Sequence, residues 1–182
     1  MAFAHHHVLE DFITGFDGTP NPHHLSVPKR PAIFSVLARP GREGQAKAAL
    51  EGLKDVSLRA AGPGEWLVVS EEAVAASLAR DLAAIGEDVL YAADQSDGRV
   101  AIRLTGPNVR KILAKCLAVD LHPDAFPLGA STPTQCCHTA ANLARTGEDT
   151  FDLVLMRSYA GHVFEEIVEM GREYAMTAGF AG

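Results

Sequence analysis

One cluster in the sequence has the residue types of a nucleophilic site. Cys136, Cys137 and His138 are consecutive, and an imidazole next to a thiol can activate it as a thiolate. Within a strand, however, adjacent side chains point to opposite faces, so the thiol of Cys137 and the ring of His138 would not meet. The sequence therefore favours small residues in a half-buried strand over a catalytic cysteine.

Histidines form a second candidate, a metal site near the N-terminus. They occur as HHH at 5–7 and HH at 23–24. Imidazole is a common ligand of divalent metals, but adjacent residues do not converge on one ion, and no Cys, Asp or Glu stands at ligand spacing beside them. We interpret these histidines as part of a polar arm, with a small metal-binding module as an alternative.

Carboxylates offer acid–base chemistry in principle, but each group has a simpler explanation. Asp94, Asp97 and Arg99 lie in ADQSDGR, where Asp-Gly before an alternating run indicates a turn. A second group is spread over a loop and the exposed side of a helix, as is typical of a solvated surface: Glu148, Asp149, Glu165, Glu166 and Glu169. Trp66 stands in an apolar strand and is predicted to be a core residue.

The stretch LTGPNVRKIL at 104–113 resembles the start of an anion-binding loop, because a strand breaks at Gly-Pro and enters a helix directly. Thr105 or Gly106 can cap that helix, and Pro107 fits its first turn. A phosphate loop would carry more glycine and a side chain aimed at the phosphates, whereas Lys111 lies a turn further on. We interpret the stretch as a strand-to-helix corner. The P-loop, the dinucleotide fingerprint, H-E-x-x-H and G-x-S-x-G are absent from the sequence, so we assign no catalytic, cofactor-binding or metal-binding residue.

Composition excludes several classes of partner. The 182 residues are 47% hydrophobic and 21% charged, which suits one globular domain of ordinary size. The formal net charge of −7 lacks the basic surface that nucleic-acid binding requires. No apolar run approaches a membrane span. Three cysteines without C-x-x-C spacing indicate reduced thiols and a cytoplasmic location.

The elements that would position these residues follow a repeated order. We expect residues 1–31 to be a flexible His- and Pro-rich arm, 32–176 a single domain and 177–182 a tail. The first half, about 32–94, is predicted to be β-α-β-β-α-β: alternating strands at 33–38, 56–62, 65–70 and 88–93, and two helices with apolar stripes.

The second half, about 95–172, starts the same order again. RVAIRL at 99–104 and TFDLVLM at 150–156 match strands of the first half, and each half has a helix directly after its last such strand. A longer middle segment, 121–149, separates them. This duplication predicts an α+β fold built from two split-βαβ, ferredoxin-like units.

The same residues carry a family resemblance. DQSDGRVAIRLTGPNVRKILAKCLAVDLHPDAFPLGA at 94–130, TFDLVLMRSYAGHVFEEIVE at 150–169 and GPGEWLVVS in the first half resemble the gamma subunit of heterotetrameric sarcosine oxidase over roughly residues 33–170. The resemblance implies a fold related to the N-terminal part of aminomethyltransferase (T-protein) and other folate-binding domains.

The resemblance also implies a function. Such complexes have alpha, beta, gamma and delta subunits and oxidatively demethylate sarcosine to glycine, releasing hydrogen peroxide and passing the one-carbon unit to tetrahydrofolate. FAD, FMN, NAD and the folate belong to other subunits, so this chain is expected to bind none and to act as a non-catalytic structural wedge. The His-rich arm and PTQCCHTAANLAR depart from the family pattern, which leaves another N-methyl amine open as substrate. The alternative is a stand-alone folate-binding, aminomethyltransferase-like protein.

Overall fold

The computed structural model describes residues 6–14 and 20–181, which form two sheets with helices on their outer faces. In chain order the strands are β1 His24–Val27, β2 Ala32–Ala38, β3 Ser57–Gly62, β4 Glu65–Ser70, β5 Leu90–Asp94, β6 Arg99–Thr105, β7 Ser131–Cys136, β8 Thr139–Gly147, β9 Thr150–Met156 and β10 Thr177–Phe180. The helices are α1 Glu10–Ile13, α2 Glu43–Glu51, α3 Ala75–Ile85, α4 Val109–Leu113 and α5 Ala160–Gly171, with 3₁₀ turns at Arg157–Tyr159 and Arg172–Tyr174.

The first half forms the four-stranded sheet, in the order β3-β4-β2-β5 with every neighbouring pair antiparallel. Helices α2 and α3 cover one face, because their apolar stripes bury Ala46, Leu50, Leu78 and Leu82 against the strands. This is the ferredoxin-like order predicted from the sequence.

The second half repeats that order with one insertion. Strands β6, β9 and β8 are neighbours as β2, β4 and β3 are in the first half, and α5 leads to β10 as the fourth strand. β1 lies between β6 and β10, antiparallel to the former and parallel to the latter. The predicted α+β duplication is therefore confirmed.

The predicted flexible arm at 1–31 and tail at 177–182 are corrected for the residues that the structure describes. His24–Val27 and Thr177–Phe180 are paired strands of the six-stranded sheet. Leu25 and Val27 are fully buried in its core, and the strand that carries them pairs with β6 on one side and β10 on the other. That pairing between distant segments, rather than local sequence, orders these two strands.

The middle segment contains a hairpin, β7–β8, at the edge of the six-stranded sheet. The prediction of a continuous strand through Cys136, Cys137 and His138 is wrong. Cys137 and His138 are the two loop residues and have positive φ of 49° and 63°, as the tight turn of a two-residue hairpin requires.

The two sheets face each other, so the molecule has four layers in the order helix, sheet, sheet, helix. Apolar side chains fill the middle of the space between the sheets: Ile33, Leu67, Val69, Ala101 and Val154. At the edges, β3 meets the β7–β8 hairpin, where Ser131 Oγ accepts from Ala60 N at 2.8 Å. This inner layer positions the site described next.

Candidate functional site

A cavity of about 660 Å³ opens at one end of the inter-sheet space. Strands β2, β4 and β5 form one wall, and β6, β8 and β9 form the other. Its mouth carries three large apolar side chains that are unusually exposed: Leu37 at 46%, Tyr91 at 51% and Met156 at 40%. Trp66, predicted to be a core residue, packs against the helix-side core and is partly exposed on the cavity wall. We call this feature the inter-sheet cleft.

The polar groups of the inter-sheet cleft are few. Arg99 and Glu65 are its charged residues, and burial lowers the pKa of the Arg99 guanidinium. Asn142 Nδ2 donates to Ala60 O at 2.7 Å. Among residues 6–14 and 20–181, neither Arg99 Nε nor Asn142 Oδ1 has a hydrogen-bond partner. The cleft is thus an apolar surface with a small polar component rather than an assembled set of acids and bases.

A buried ion network lies beyond the apolar middle of the same inter-sheet layer. Asp152 on β9 accepts from Arg59 Nη2 on β3 at 2.9 Å and from Arg103 Nε on β6 at 2.8 Å. Thr146 Oγ1 donates to the same carboxylate at 3.2 Å, and Glu71 accepts from Arg103 at 2.5 Å. Arg59 is 2% exposed and Asp152 3%, so this pair ties the two sheets together out of water.

The charges of the network depend on one another. Burial lowers the pKa of Arg59, and the charge of Asp152 opposes that effect. The hydrogen bonds to Asp152 are the main cause that raises the pKa of Arg103. Removing Asp152 would leave a buried guanidinium without its counter-charge, so the network is structural. Sequence reasoning missed it because Arg59 and Asp152 are 93 residues apart.

The histidines of the predicted arm are dispersed rather than gathered. His6 Nδ1 lies 2.9 Å from Glu10 Oε2, and His24 Nδ1 lies 2.8 Å from Thr177 Oγ1. Burial lowers the pKa of His24. His5 lies outside the described residues. In the part of the chain that the structure describes, no group of three His, Cys, Asp or Glu side chains could hold a metal ion.

His23 fills the place where the sequence suggested an anion. Its Nε2 accepts from Asn108 N at 3.2 Å, directly before helix α4, and its ring packs on Tyr174 at 5.1 Å between centroids. The predicted cap at Thr105 or Gly106 is wrong: the helix begins after Asn108. Gly106 has φ +132°, and a Cβ there would meet His23 Cδ2 at 2.7 Å. The LTGP corner therefore packs against His23, the residue directly before β1.

The acidic candidates have ordinary structural partners. Asp94 Oδ1 accepts from Ser96 N at 2.9 Å, which confirms the turn interpretation for that residue. Asp149 pairs with Arg110 at 2.5 Å, and Glu169 with Arg172 at 3.4 Å. These contacts use the carboxylates to fix loops and helix ends.

The structure brings the cysteine of the Cys-Cys-His stretch toward other thiols. Cys116, at the end of the turn after α4, lies beside the β7–β8 hairpin: its carbonyl accepts from Cys137 N at 3.0 Å, and the next residue, Leu117, forms a bridge with Cys136. Sequence reasoning considered only the adjacent histidine and missed Cys116, because the fold rather than the spacing makes the third thiol a neighbour. All three are free thiols.

None of the helices in residues 6–14 and 20–181 has the length and apolarity needed to cross a membrane.

Comparison with solved structures defines the class of fold. The chain superimposes on glycine cleavage system aminomethyltransferase T from Bartonella henselae with a TM-score of 0.64 at 17% identity, covering 90% of this chain and 49% of that one. It superimposes on a chain of the heterotetrameric sarcosine oxidase from Corynebacterium sp. U-96 with a TM-score of 0.76 at 22% identity, covering 92% and 93%. The duplicated sheets with a cleft between them are thus a fold that the chain shares with these two proteins.

Sequence comparison then identifies the family. Residues 35–173 match the model of the sarcosine oxidase gamma subunit family, and the chain belongs to that family. It is 30% identical over 137 residues to sarcosine oxidase subunit gamma of Corynebacterium sp. strain P-1, and 29% identical over the same length to that of an Arthrobacter species. Each match covers 75% of this chain and 65% of the relative, so the chain matches just under two thirds of either relative's length. The resemblance carried by the quoted motifs is confirmed.

Proposed function

We propose that this chain is the non-catalytic gamma subunit of a heterotetrameric, sarcosine-oxidase-like flavoenzyme complex. The observation that carries the proposal is the family match over residues 35–173. The similarity in fold to a chain of a heterotetrameric sarcosine oxidase supports it. In this role the chain is a structural partner of the alpha, beta and delta subunits.

The exposed apolar mouth of the inter-sheet cleft supports a role in assembly. Leu37, Tyr91 and Met156 form one patch around an opening, whereas exposed large apolar side chains on a monomer are more often scattered singly. Aromatic residues and methionine are enriched in protein–protein interfaces. This mouth is the surface that we assign to contact with a larger subunit.

The reaction of the complex follows from the same proposal. The assembly oxidatively demethylates sarcosine, or a related N-methyl amine, to glycine, passes the one-carbon unit to tetrahydrofolate and releases hydrogen peroxide. FAD, FMN, NAD and tetrahydrofolate are bound by the other subunits, and this chain positions those subunits. We place the complex in the cytoplasm, which agrees with three free thiols in this chain.

A second candidate function is a stand-alone folate-binding, aminomethyltransferase-like protein. The cleft of about 660 Å³ is large enough for a small-molecule ligand, and the fold is shared with aminomethyltransferase T. Titration of the purified chain with a reduced folate tests this candidate. The absence of both binding heat and a change in Trp66 fluorescence would exclude it.

Co-expression with the flavoprotein subunits encoded nearby, followed by size exclusion, tests the first proposal. We expect one complex that contains this chain, and a Tyr91→Arg variant that reduces co-elution at least about tenfold. Val74→Arg is the matched control, because Val74 is also exposed but does not line the cleft. A chain that stays monomeric with every partner contradicts the subunit role, whereas equal loss from both variants contradicts only the assignment of the cleft mouth.

A further inference from the structure

All three cysteines of the chain meet where the turn after α4 contacts the β7–β8 hairpin. Cys137 N donates to Cys116 O at 3.0 Å, and Leu117 forms an antiparallel bridge with Cys136. Cys136 Sγ lies 3.9 Å from Cys137 Sγ, and Cys116 Sγ donates to Ile112 O at 3.6 Å. We call Cys116, Cys136 and Cys137 the thiol cluster.

The bridge fixes which two thiols are placed for a disulfide. Since Leu117 is opposite Cys136, the next pair outward is Cys116 opposite Cys137, joined by the backbone hydrogen bond. The hydrogen bond from Cys137 N places these two residues side by side, while Cys116 N bonds to Leu113 O within the turn after α4. Cys136 is fully buried in the core of the second half, and Cys116 is 9% exposed in the same core.

The two opposed cysteines are also the ones that line a surface groove. Cys116 and Cys137 contribute to a groove of about 440 Å³ together with Lys115, His162 and Glu166. Cys137 is half-buried at the tip of the hairpin, in a left-handed backbone conformation. Cys116 is 9% exposed, so a small polar oxidant would approach this pair from the groove, where Cys137 is the more accessible of the two.

The thiols differ in how easily they lose a proton. The hydrogen bond from Cys136 lowers the pKa of Cys116, against the opposing effect of burial. Burial raises the pKa of Cys137 to about 12, and the hydrogen bond with Cys116 raises that of Cys136 further above its ordinary value. Cys116 is therefore the thiol of the cluster whose ionisation is most favoured, and a thiolate is the form that reacts with an oxidant.

We propose that the thiol cluster is an oxidative modification site, in which a hydroperoxide converts Cys116 and Cys137 into an intramolecular disulfide. The inference rests on the contacts within this chain and is independent of the proposed role in a flavoenzyme.

The chemistry requires one equivalent of hydrogen peroxide. The Cys116 thiolate attacks one peroxide oxygen, the O–O bond breaks and the departing hydroxide takes a proton to become water, leaving Cys116 as a sulfenic acid. Cys137 sulfur then attacks Cys116 sulfur, the S–O bond breaks and a second water leaves. Two thiols lose two electrons, and the peroxide is reduced to two waters.

Peptide mapping of the full chain tests the linkage. The reduced protein is treated with equimolar hydrogen peroxide, alkylated and digested with trypsin, which leaves all three cysteines in the single peptide 116–145. Cleavage before Asp120 and Asp124 then separates Cys116 from the other two. We expect 116–119 joined to 124–145 by a disulfide. Free 116–119 with an oxidised 124–145, or no disulfide, overturns the proposal.

Two variants assign the partner of Cys116. Cys136→Ala should retain the disulfide, whereas Cys137→Ser should reduce it at least about tenfold and leave a sulfenic acid on Cys116 that dimedone labels. Thermal unfolding of each variant checks that it is folded, and dimedone labelling of the wild type at early times provides a readout that does not need either variant. Equal disulfide formation in Cys137→Ser, or absence of label on Cys116, refutes the assignment.

Discussion

The two halves of the chain have the same strand order but complete their sheets differently. In the first half, β2 pairs directly with β5, so the sheet consists only of the four strands from residues 32–94. In the second half, β1 separates β6 from β10. The comparison teaches that the first half supplies its whole sheet from one continuous segment, whereas the second needs a strand from the far end of the chain.

The largest effect is expected when β1 is damaged. Leu25→Asp removes about 2 to 3 kcal/mol of apolar burial and buries a polar group without a partner, which costs about 2 to 7 kcal/mol more. We expect a loss of at least about 4 kcal/mol, greatest in the second half. Urea unfolding followed by circular dichroism measures both halves, and fluorescence of Trp66, the single tryptophan, measures the first.

Ser26→Asp is the control for that experiment. Ser26 is half-buried on the opposite face of β1 and lies opposite Arg103 in the register. It should change stability little. If Leu25→Asp shifts the fluorescence and dichroism transitions equally, the two halves unfold as one unit and the proposed asymmetry is wrong.

The next effect concerns the tie between the halves. Asp152→Asn removes the charge that faces buried Arg59, and breaking a buried ion pair in this way costs about 3 kcal/mol or more. Because the pair joins β3 to β9, both urea transitions should shift together. Asp149→Asn, in a pair whose carboxylate is 41% exposed, should cost at most about 1 kcal/mol.

A double variant sharpens the interpretation of the tie. Arg59→Met with Asp152→Leu replaces the pair by apolar side chains and should recover most of the stability that Asp152→Asn loses. No recovery would mean that Arg103 and Thr146, rather than Arg59, account for the dependence on Asp152.

A smaller effect compares one glycine from each half. Gly106 has φ +132° and faces His23, whereas Gly41 has φ +76° with nothing within 4 Å of an added Cβ. We expect Gly106→Ala to cost about 2 kcal/mol and Gly41→Ala about 1 kcal/mol, because only the former adds a clash to backbone strain. Thermal unfolding measures the stability of both variants. Equal losses would show that His23, directly before β1, does not restrict a side chain at position 106.

The smallest effect is a pH dependence where β1 meets β10. Burial lowers the pKa of His24 below its ordinary 6.5, so the unfolded chain takes up the proton first. This contribution to stability is present above pH 6.5 and is lost as the pH falls through the lowered folded pKa. The wild type should lose more stability than His24→Gln between pH 7.5 and 5.5. An equal loss in both would assign the dependence to other groups.

Local patterns were enough to predict most of the first half. IFSVLA alternates, and the two helices have apolar residues at helical spacing: Ala46 and Leu50 in one, Leu78 and Leu82 in the other. The buried face of each element can therefore be predicted from its own sequence. The strands at 99–104 and 150–156 were predictable for the same reason. The family was predictable because its motifs lie in these regular segments.

The features that sequence missed depend on distant partners. HLSV at 24–27 is only four residues long, is flanked by prolines and has no helical or long alternating pattern. Only its contacts with β6 and β10 therefore make it a strand. The inter-sheet cleft likewise required the packing of two sheets. Cys137 and His138 show a local failure: neither is the Gly, Asn or Asp that usually marks a two-residue hairpin loop, and yet both have positive φ.

The position of β1 has a consequence for biosynthesis. The hydrogen bonds of His24 can form only after Thr105, 81 residues later, and Thr177, 153 residues later, have been synthesised. Strands β2 to β5, which lie between His24 and Thr105 in the sequence, are joined by shorter connections and can assemble first. Loop closure costs less free energy when the paired segments are near in sequence. Nascent chains from which β10 has not yet emerged therefore keep an open edge beside β1, and the emergence of β10 is the event that completes the sheet.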